Sequence, residues 1–319
     1  MKSNSFTNES EGSSLEIGEL YIRYKSYAFS IAYRMLGSVV EAEDIVQDCF
    51  AELQSKPLHD IRNLKAYIAK LVVNRSLNLL NSARNQRESY VGEWLPEPMS
   101  NGGSANIPEE TLQQKEMISY AYLVMLEQLS PIERAVFVLR EAFQYEYNEI
   151  ADWLGKSESN CRQIFSRARR KLPDHLPAME HHPANYAAKE ELLARFTTAF
   201  LSYDVSAMLE LLAEQPVFTA DGGGRVHTVM RTMRVHKGVL ALMTSRRVLT
   251  RLREREWMPT VINGELHLTL LENGQLSEVL CLELDPLGER IEGIYLVMNP
   301  DKLTSISTSY RLGRGWNKR

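Results

Sequence analysis

The polar side chains of residues 157–171 could make hydrogen bonds and ion pairs with a nucleic acid. Arginine and lysine neutralise phosphates, whereas asparagine, glutamine and serine can pair with base edges. At helical spacing these residues share one face, opposite an apolar stripe that includes Ile164 and Phe165. We therefore expect a DNA-reading helix whose contact face consists of Ser159, Asn160, Arg162, Gln163, Ser166, Arg167 and Arg170.

Two shorter helices are predicted to position this one. Ser130 can cap the first, with Glu133 completing a capping box, and Glu146 is a weaker cap for the second. Gly155 then marks a tight turn, and Ser157 can cap the basic helix. This order is the layout of a helix-turn-helix DNA-binding motif. The alternative is a helical hairpin whose basic face is merely solvated.

An earlier helix, predicted after Gly37, has an acidic outer face. Its polar side chains recur three and four residues apart, at Glu41, Asp44, Gln47, Asp48 and Glu52. One interpretation of this acidic stripe is a docking surface for a basic partner, and the other is a solvated helix face.

A further helix is predicted to begin near Leu64, and its outer face combines arginine with asparagine. These types suit phosphate and base contacts, so a second DNA contact is predicted at Arg75, Asn78, Asn81, Arg84 and Arg87. A protein that holds both a basic partner and DNA would need an acidic helix beside a basic one.

The composition limits the classes of protein that the chain can belong to. Its 319 residues are 44% hydrophobic and carry a formal net charge of -4, which indicates two or three globular domains with only local DNA contacts. Cys49, Cys161 and Cys281 are far apart and no CxxC pair occurs, so we expect neither a zinc site nor disulfides, as in a reducing cytoplasm. No apolar run reaches membrane-spanning length, and residues 1–14 are predicted to be a disordered arm.

A domain linker is predicted over residues 89–110, which are rich in proline and glycine. It nevertheless contains large apolar groups, in Trp94-Leu95-Pro96-Glu97-Pro98. This segment could be a docking peptide whose prolines reduce the entropy lost on binding, or it could pack incidentally on the nearest domain. A second linker is predicted at 174–184, where the neighbouring His181 and His182 would point apart and so do not indicate a metal site.

The third unit, residues 185–303 with a tail at 304–319, is predicted to be an α+β domain. Helices are expected at about 187–203, after Asp204, and at about 237–249. Asn263-Gly264 and Asn273-Gly274 are hairpin signals between β-prone runs, so an antiparallel meander is predicted over about 255–262, 265–271, 276–284 and 290–297.

The run Asp221-Gly222-Gly223-Gly224-Arg225 allows close backbone approach to a partner. A phosphate cradle is the rival interpretation, but no Gly-Lys-Ser/Thr follows and no helix starts at once. Acid–base candidates in this unit have no spacing that demands catalysis, so we expect neither an enzyme nor a cofactor; they are Asp221, His227, His236, His267 and Tyr295.

Two segments together resemble bacterial RNA polymerase sigma factors. Ala42-Glu43-Asp44-Ile45-Val46-Gln47-Asp48-Cys49-Phe50 is similar to their AEDIVQ(D/E)xF segment, and Leu129–Leu172 is similar to their domain that reads the promoter −35 element. The pair, with no large domain between, resembles an extracytoplasmic-function sigma factor over roughly residues 15–172. The resemblance implies that residues 15–88 are region 2 and 111–173 are region 4.

The resemblance also implies roles for these helices. Asp44, Gln47 and Asp48 would face the clamp helices of the largest polymerase subunit. The helix around residues 74–87 would melt and read the −10 element, and residues 157–171 would enter the major groove at −35. Many relatives have Asp and Arg where this chain has Asn78 and Asn81, so the −10 contacts depart from the family pattern.

The third unit resembles the cone-shaped SnoaL-like (NTF2-like) fold. Asp221–Arg225 is similar to the DGGG(K) motif of one sigma subgroup with such an extension, although Arg225 stands where Lys is usual. Asn299-Pro300-Asp301-Lys302-Leu303 is similar to the NPDKL motif of that subgroup, and Trp94–Pro98 to its WLPEP motif. We expect regulatory contacts from these three segments, with Trp94–Pro98 contacting the C-terminal domain or the sigma domains near the Asp221 loop. The resemblance implies that the C-terminal domain holds the two sigma domains in an inactive arrangement or tunes binding to core polymerase.

The sequence therefore predicts a cytoplasmic promoter-recognition subunit with two all-α sigma domains and an α+β SnoaL-like domain. Its partners would be core RNA polymerase and promoter DNA, with no membrane, and the third domain would contact the sigma domains or the linker. The alternative is a one-component DNA-binding regulator that senses a ligand and does not dock to polymerase.

Overall fold

The fold was obtained as a computed structural model that describes residues 8–57, 61–88, 90–100, 118–173, 186–226 and 231–306, without the side chains of 8–16, 83–88 and 186. The chain forms two compact units, each discontinuous in sequence. The first contains residues 1–85 and 126–173, and the second contains 86–125 and 174–319. No described helix is long and apolar enough to cross a membrane.

The first unit is helical. Its long helices are α1 (Asn8–Leu36), α2 (Val39–Gln54) and α3 (Leu64–Glu88). Gly37, at φ 66, allows the sharp turn after α1, and Ser38 caps α2 by accepting the amide of Glu41. Because α1 begins at Asn8, the predicted disordered arm is wrong for residues 8–14, which are helical; residues 1–7 lie outside the described part.

The helix-turn-helix prediction is confirmed in its local details. The motif comprises α5 (Pro131–Phe137), a π-helical turn (Val138–Ala142), α6 (Tyr147–Leu154) and α7 (Glu158–Lys171). The capping box joins Ser130 and Glu133, and Glu146 forms a second one with Glu149. Gly155 takes the left-handed conformation at φ 60, and Ser157 accepts the amide of Asn160.

A short helix, α4 (Tyr120–Leu126), carries the chain from the second unit into the first. The other helices of the second unit are α8 (Tyr186–Ser202), α9 (Val205–Leu211), α10 (His236–Thr244) and α11 (Thr250–Arg253). Asp204 caps α9 as predicted. The single helix expected at 237–249 is wrong beyond Thr244, because the Ser245 side chain takes over amides of the next turn and Leu249 adopts φ 55.

The second unit is built on one sheet with strand order β1-β5-β4-β3-β2. The strands are β1 (Leu212–Asp221), β2 (Glu256–Ile262), β3 (Glu265–Glu272), β4 (Gln275–Leu284) and β5 (Ile291–Val297). Strands β2 to β5 form the predicted antiparallel meander. Positive φ at both residues of Asn263-Gly264 and of Asn273-Gly274 fits type I′ hairpin turns. The meander prediction missed β1, which pairs parallel with β5.

The sheet buries both faces, because side chains alternate along each strand. One face packs on α8, α9 and α10 through Phe196, Phe218, Trp257, Leu268 and Leu282, among others. The opposite face forms a smaller core with residues that precede and follow the sheet in sequence, namely Leu95, Tyr120, Leu303 and Ile306. The α+β prediction is confirmed, and the predicted linker contributes to the core of the sheet domain.

Candidate nucleic-acid interface and a buried carboxylate cluster

The face of α7 that was predicted to read DNA is presented to solvent. Cys161, Ile164 and Ala168 are buried on its other side, so the helix can present only one face. All seven predicted contact residues are exposed: Ser159, Asn160, Arg162, Gln163, Ser166, Arg167 and Arg170. We call this set the recognition face. Its three arginines and four neutral hydrogen-bonding groups can meet phosphates and base edges together.

Neighbouring side chains organise part of the recognition face. The Arg162 guanidinium pairs with Glu158 and lies 4.5 Å from the ring centroid of Tyr147. Arg170 Nε donates to the Ser166 carbonyl at 3.3 Å. Such contacts limit the rotamers of long side chains, which lowers the entropy that DNA binding would cost.

The acidic stripe on α2 is partly exposed and partly engaged. Asp44, Gln47 and Asp48 are exposed, and Glu41 and Glu52 are half-buried. Glu52 binds Lys56 and Arg75, and these hydrogen bonds, the one from Lys56 first, hold the pKa of its carboxyl below the usual range. The end of the stripe nearer Asp44 thus carries the more accessible negative charge.

The predicted −10 contacts on α3 fall into three groups. Asn78 and Asn81 are exposed. Arg75 is half-buried and links α3 to α2, with Nη1 3.2 Å from Asp48 Oδ2 and Nη2 2.8 Å from Glu52 Oε2. Arg84 and Arg87 belong to the described helix, but their side chains lie outside the described residues.

Within the first unit, α1 and α3 contact the helix-turn-helix. Arg134 is buried and donates from Nη1 to the Met35 carbonyl at 2.7 Å, and the Tyr27 hydroxyl hydrogen bonds to that of Tyr145. An exposed ion pair joins Lys70 and Asp152 at 3.1 Å. These contacts were not predicted, because they depend on how the helices pack against one another and not on the pattern within any one helix.

Asp221 ends β1 as a fully buried carboxylate with four hydrogen-bond donors. Oδ1 accepts from the Tyr90 hydroxyl at 2.6 Å and from the Gly223 amide at 3.0 Å. Oδ2 accepts from the Leu95 amide at 2.9 Å and from Lys302 Nζ at 2.7 Å. A buried carboxylate is tolerated only when charge and hydrogen bonds compensate it, and here both oxygens are satisfied.

Lys302 closes the same cluster from the other side. Its ammonium donates to the Leu95 carbonyl and lies 3.9 Å from the ring centroid of Trp94. Asn299 Nδ2 donates to the Tyr90 hydroxyl at 3.1 Å, while Oδ1 accepts the amide of Asp301. Burial and the adjoining carboxylate raise the pKa of the Tyr90 phenol, so its proton is available to donate. We call Tyr90, Leu95, Asp221, Asn299 and Lys302 the Asp221 cluster.

The glycine run beside Asp221 fits tightly against this cluster. Gly223 has φ 60, and a Cβ there would lie 2.5 Å from Asn299 Cγ. Gly224 has φ 71, and its Cβ would lie 3.0 Å from Val91 Cβ. The amides of Gly223, Arg225 and Val226 are used by Asp221 and the Gly222 carbonyl, so they are not arranged as a phosphate cradle. Arg225 pairs with Asp301 at 2.9 Å on the surface.

The predicted linker is fastened again beyond the Asp221 cluster. The Tyr120 hydroxyl donates to the Pro96 carbonyl at 2.8 Å. Asn263 exchanges two hydrogen bonds with Met99, its amide donating to the carbonyl at 2.7 Å and its Oδ1 accepting the amide at 3.0 Å. The Ser305 hydroxyl donates to the Pro98 carbonyl at 3.1 Å. We call residues 90–100 the fastened segment.

Sequence reasoning missed several of these residues. Tyr90, Tyr120 and Asn263 were not singled out for such contacts, although large aromatics beside a proline-rich segment were a usable signal. Asn263 was interpreted only as part of the Asn263-Gly264 hairpin turn, and its hydrogen bonds with Met99 were not predicted.

Three acid–base candidates in the described part of the chain, Asp221, His267 and Tyr295, form hydrogen bonds within the sheet domain. His267 is buried, and its Nδ1 accepts the Leu282 amide at 3.2 Å. The Tyr295 hydroxyl donates to Glu283, and burial raises the pKa of both groups. His227 lies outside the described residues. Within the described ranges, no group of three or more His, Cys, Asp or Glu side chains could hold a metal ion.

Comparisons with known proteins agree with both helical motifs. The family model described as Sigma-70 region 2 matches residues 20–86, and that described as Sigma-70, region 4 matches residues 119–172. The chain is 34% identical over 220 residues to the ECF RNA polymerase sigma factor SigJ of Mycobacterium tuberculosis (strain ATCC 25618 / H37Rv), covering 69% of each chain. It is 28% identical over 291 residues to a probable ECF RNA polymerase sigma factor, SigI, of Mycobacterium tuberculosis (strain CDC 1551 / Oshkosh), covering 88% of this chain and 92% of that one.

The likeness includes the sheet domain. A crystal structure of the extracytoplasmic function sigma factor SigJ from Mycobacterium tuberculosis superposes with a TM-score of 0.68 at 27% identity. The superposition covers 90% of this chain and 98% of that one, which is consistent with a SnoaL-like cone fold for the third domain. The chain therefore belongs to the extracytoplasmic-function sigma factors, which act in transcription initiation, and is of the SigJ type.

Proposed function

We propose that this sigma factor docks to polymerase through α2, reads promoter DNA through α3 and α7, and is controlled by its own C-terminal domain through the fastened segment. The observation that carries the control is the Asp221 cluster, in which a buried ion pair holds the backbone of Leu95. Each step is non-covalent, so the function needs no catalytic group and no cofactor. Its place of action would be the cytoplasm.

Docking through the acidic stripe is supported by charge and exposure. Asp44, Gln47 and Asp48 are exposed on one face of α2, whose other face is buried through Ile45, Val46 and Cys49. The proposed partner is the clamp helices of the largest polymerase subunit. Rim charges of this kind mainly set the association rate and the choice of partner.

Control through the fastened segment is supported by where it lies in the chain. Residues 90–100 connect α3, which would read the −10 element, with α4 and the helix-turn-helix, which would read −35. A segment held at Asp221 and again at Asn263 has fewer conformations than a free linker. The contacts of Tyr27 and Met35 with Tyr145 and Arg134 would also have to break before the two readers could separate.

Run-off transcription with core polymerase and a promoter library tests the proposal. Full-length protein should give promoter-dependent initiation, and Asp44→Lys should abolish both initiation and co-purification with core polymerase. Glu19→Lys reverses an exposed charge on α1 and is the matched control. This variant should retain both initiation and co-purification with core polymerase. Absence of promoter-dependent initiation with the full-length protein, or full initiation by Asp44→Lys, would contradict the proposed function.

Co-purification also separates this proposal from the one-component regulator. A regulator that acts without polymerase would bind its DNA site but leave core polymerase unbound in every variant. The Asp44→Lys substitution would then have no effect on transcription.

A further inference from the structure

Positive charge is concentrated in the chain between β1 and β2. Residues 222–253 contain eight lysines and arginines and no aspartate or glutamate, in a protein whose formal net charge is -4. Such a concentration within a domain is unexpected if the domain only packs on its own linker. The local geometry shows which of these charges are presented to solvent.

The turn that follows α10, residues 245–253, includes the short helix α11, and its backbone is fixed by two of its own side chains. Ser245 Oγ accepts the amides of Arg247 and Val248, each at 3.2 Å. The Arg253 guanidinium donates to the carbonyls of Met243 at 2.6 Å and Phe200 at 3.0 Å, and more weakly to those of Val248 and Leu249. Its guanidinium carbon lies 3.9 Å from the ring centroid of Phe200. Arg253 thus ties the turn to the end of α8.

The same turn directs three other arginines outward. Arg246, Arg247 and Arg251 are exposed, and Arg246 lies 5.2 Å from the ring centroid of Tyr203. Within the described part of the chain, none of the three is within ion-pair distance of a carboxylate. We call these three residues the basic turn. Its charge is neither neutralised locally nor needed for the contacts that fix the backbone.

We propose that the basic turn binds the sugar-phosphate backbone of duplex DNA, so that the C-terminal domain adds its own DNA contact to those of α3 and α7. Guanidinium groups suit phosphate because they offer planar, paired donors that stay charged. A preformed turn loses little backbone entropy on binding. The choice of DNA over another polyanion rests on the proposed function, which already brings promoter DNA to this protein.

The test compares two charge-matched triple variants of the full-length protein. Arg246→Gln, Arg247→Gln and Arg251→Gln remove the basic turn. Arg195→Gln, Lys237→Gln and Arg290→Gln remove three other exposed charges of the same domain. Affinity for a fluorescent duplex of random sequence is measured by anisotropy between 50 and 200 mM salt, with circular dichroism melts to verify that all variants are folded.

The expected result follows from counterion release. Each lost phosphate contact lowers the slope of log affinity against log salt by about 0.9, so the basic-turn variant should lose up to about 2.7 of slope. Its affinity should then fall about 40-fold less than that of the parent across this salt range. The control variant should keep the parental slope.

Two outcomes would overturn the proposal: an unchanged slope for the basic-turn variant, or an equal change in the control variant. If the slope is unchanged and co-purification with core polymerase is lost, the occupant is an acidic protein surface instead. A failure of the proposed function would be seen in a different experiment. That function is tested by promoter-dependent initiation and by the effect of Asp44→Lys, and binding to a random duplex measures neither.

Discussion

The carboxylate of Asp221 and the ammonium of Lys302 form a buried ion pair, with 2.7 Å between Oδ2 and Nζ. The pair also holds the backbone of one residue in a third segment, because Asp221 accepts the amide of Leu95 and Lys302 donates to its carbonyl. The ion pair holds backbone groups of Leu95, while the Leu95 side chain is buried in the core on the same face of the sheet. Trp94 adds the specific element, since its ring covers the ammonium.

Asp221→Ala should destabilise the C-terminal domain by about 3 kcal/mol or more, because it leaves a buried ammonium without its counter-charge. Asp301→Ala removes the exposed ion pair with Arg225 from the same region and should cost less than about 1 kcal/mol. Urea unfolding followed by tryptophan fluorescence measures both. If both substitutions lower the free energy of unfolding equally, burial of the Asp221–Lys302 pair does not add to its stabilising effect.

Trp94→Ala should raise promoter-dependent transcription, because the fastened segment loses a cation–π contact that helps to hold it. Such a contact is worth about 0.5–2 kcal/mol, which shifts the balance between fastened and released segment by roughly twofold to thirtyfold. Multi-round transcription with core polymerase gives the change. Leu287→Ala, at an exposed apolar residue of the same domain, serves as the control and should leave the rate unaltered. An unchanged rate for Trp94→Ala would argue against control through this segment.

Gly223→Ala should destabilise the domain more than Gly274→Ala. Both glycines have positive φ, so both substitutions carry backbone strain of about 1 kcal/mol. Only at position 223 would the new Cβ also overlap Asn299, at 2.5 Å, whereas nothing lies within 4 Å at position 274. The difference between the two midpoints of thermal unfolding therefore measures the clash alone. If the midpoints fall equally, Asn299 moves aside without cost.

Glu283→Gln should stabilise the C-terminal domain at neutral pH and lose this effect in acid. Burial raises the pKa of the Glu283 carboxyl, Glu292 and Glu265 raise it further, and the Tyr295 hydroxyl and Lys189 oppose them. Below its unfolded-state pKa the carboxyl is protonated in both states and nothing is lost. As the pH rises through the raised pKa, the folded state must ionise a buried group and stability falls. Urea unfolding from pH 4 to pH 8 measures the difference, and a constant difference would contradict this origin.

The helix-turn-helix could be predicted closely because its signals are local. Ser130, Glu133, Gly155 and Ser157 act on amides or turns within four residues of themselves. The pairing of Arg75 with α2 was not predictable in this way, since it depends on how two helices pack. An outward arginine on a polar helix has the same sequence pattern whether it meets DNA or a neighbouring carboxylate.

Strand β1 was missed for a different reason. It contains Pro216 and polar residues, and its register against β5 shifts between Leu212 and Val217. Proline is tolerated in an edge strand or at a bulge, but it weakens the alternating pattern by which strands are predicted. The motif Asp221–Arg225 was recognised, whereas the strand that delivers Asp221 to Lys302 was not.

The order in which the fastened segment meets its partners has a consequence during synthesis. Leu95 precedes Asp221 by 126 residues and Lys302 by 207. At translation rates of about 5–20 residues per second, roughly 10–40 s separate the emergence of Leu95 from that of Lys302. Both sigma regions are synthesised within that interval, while Trp94 and Leu95 still lack their contacts with Asp221 and Lys302. A nascent chain, or one that ends before Lys302, would thus contain both helices proposed to read DNA but would lack the ion pair that holds the segment between them.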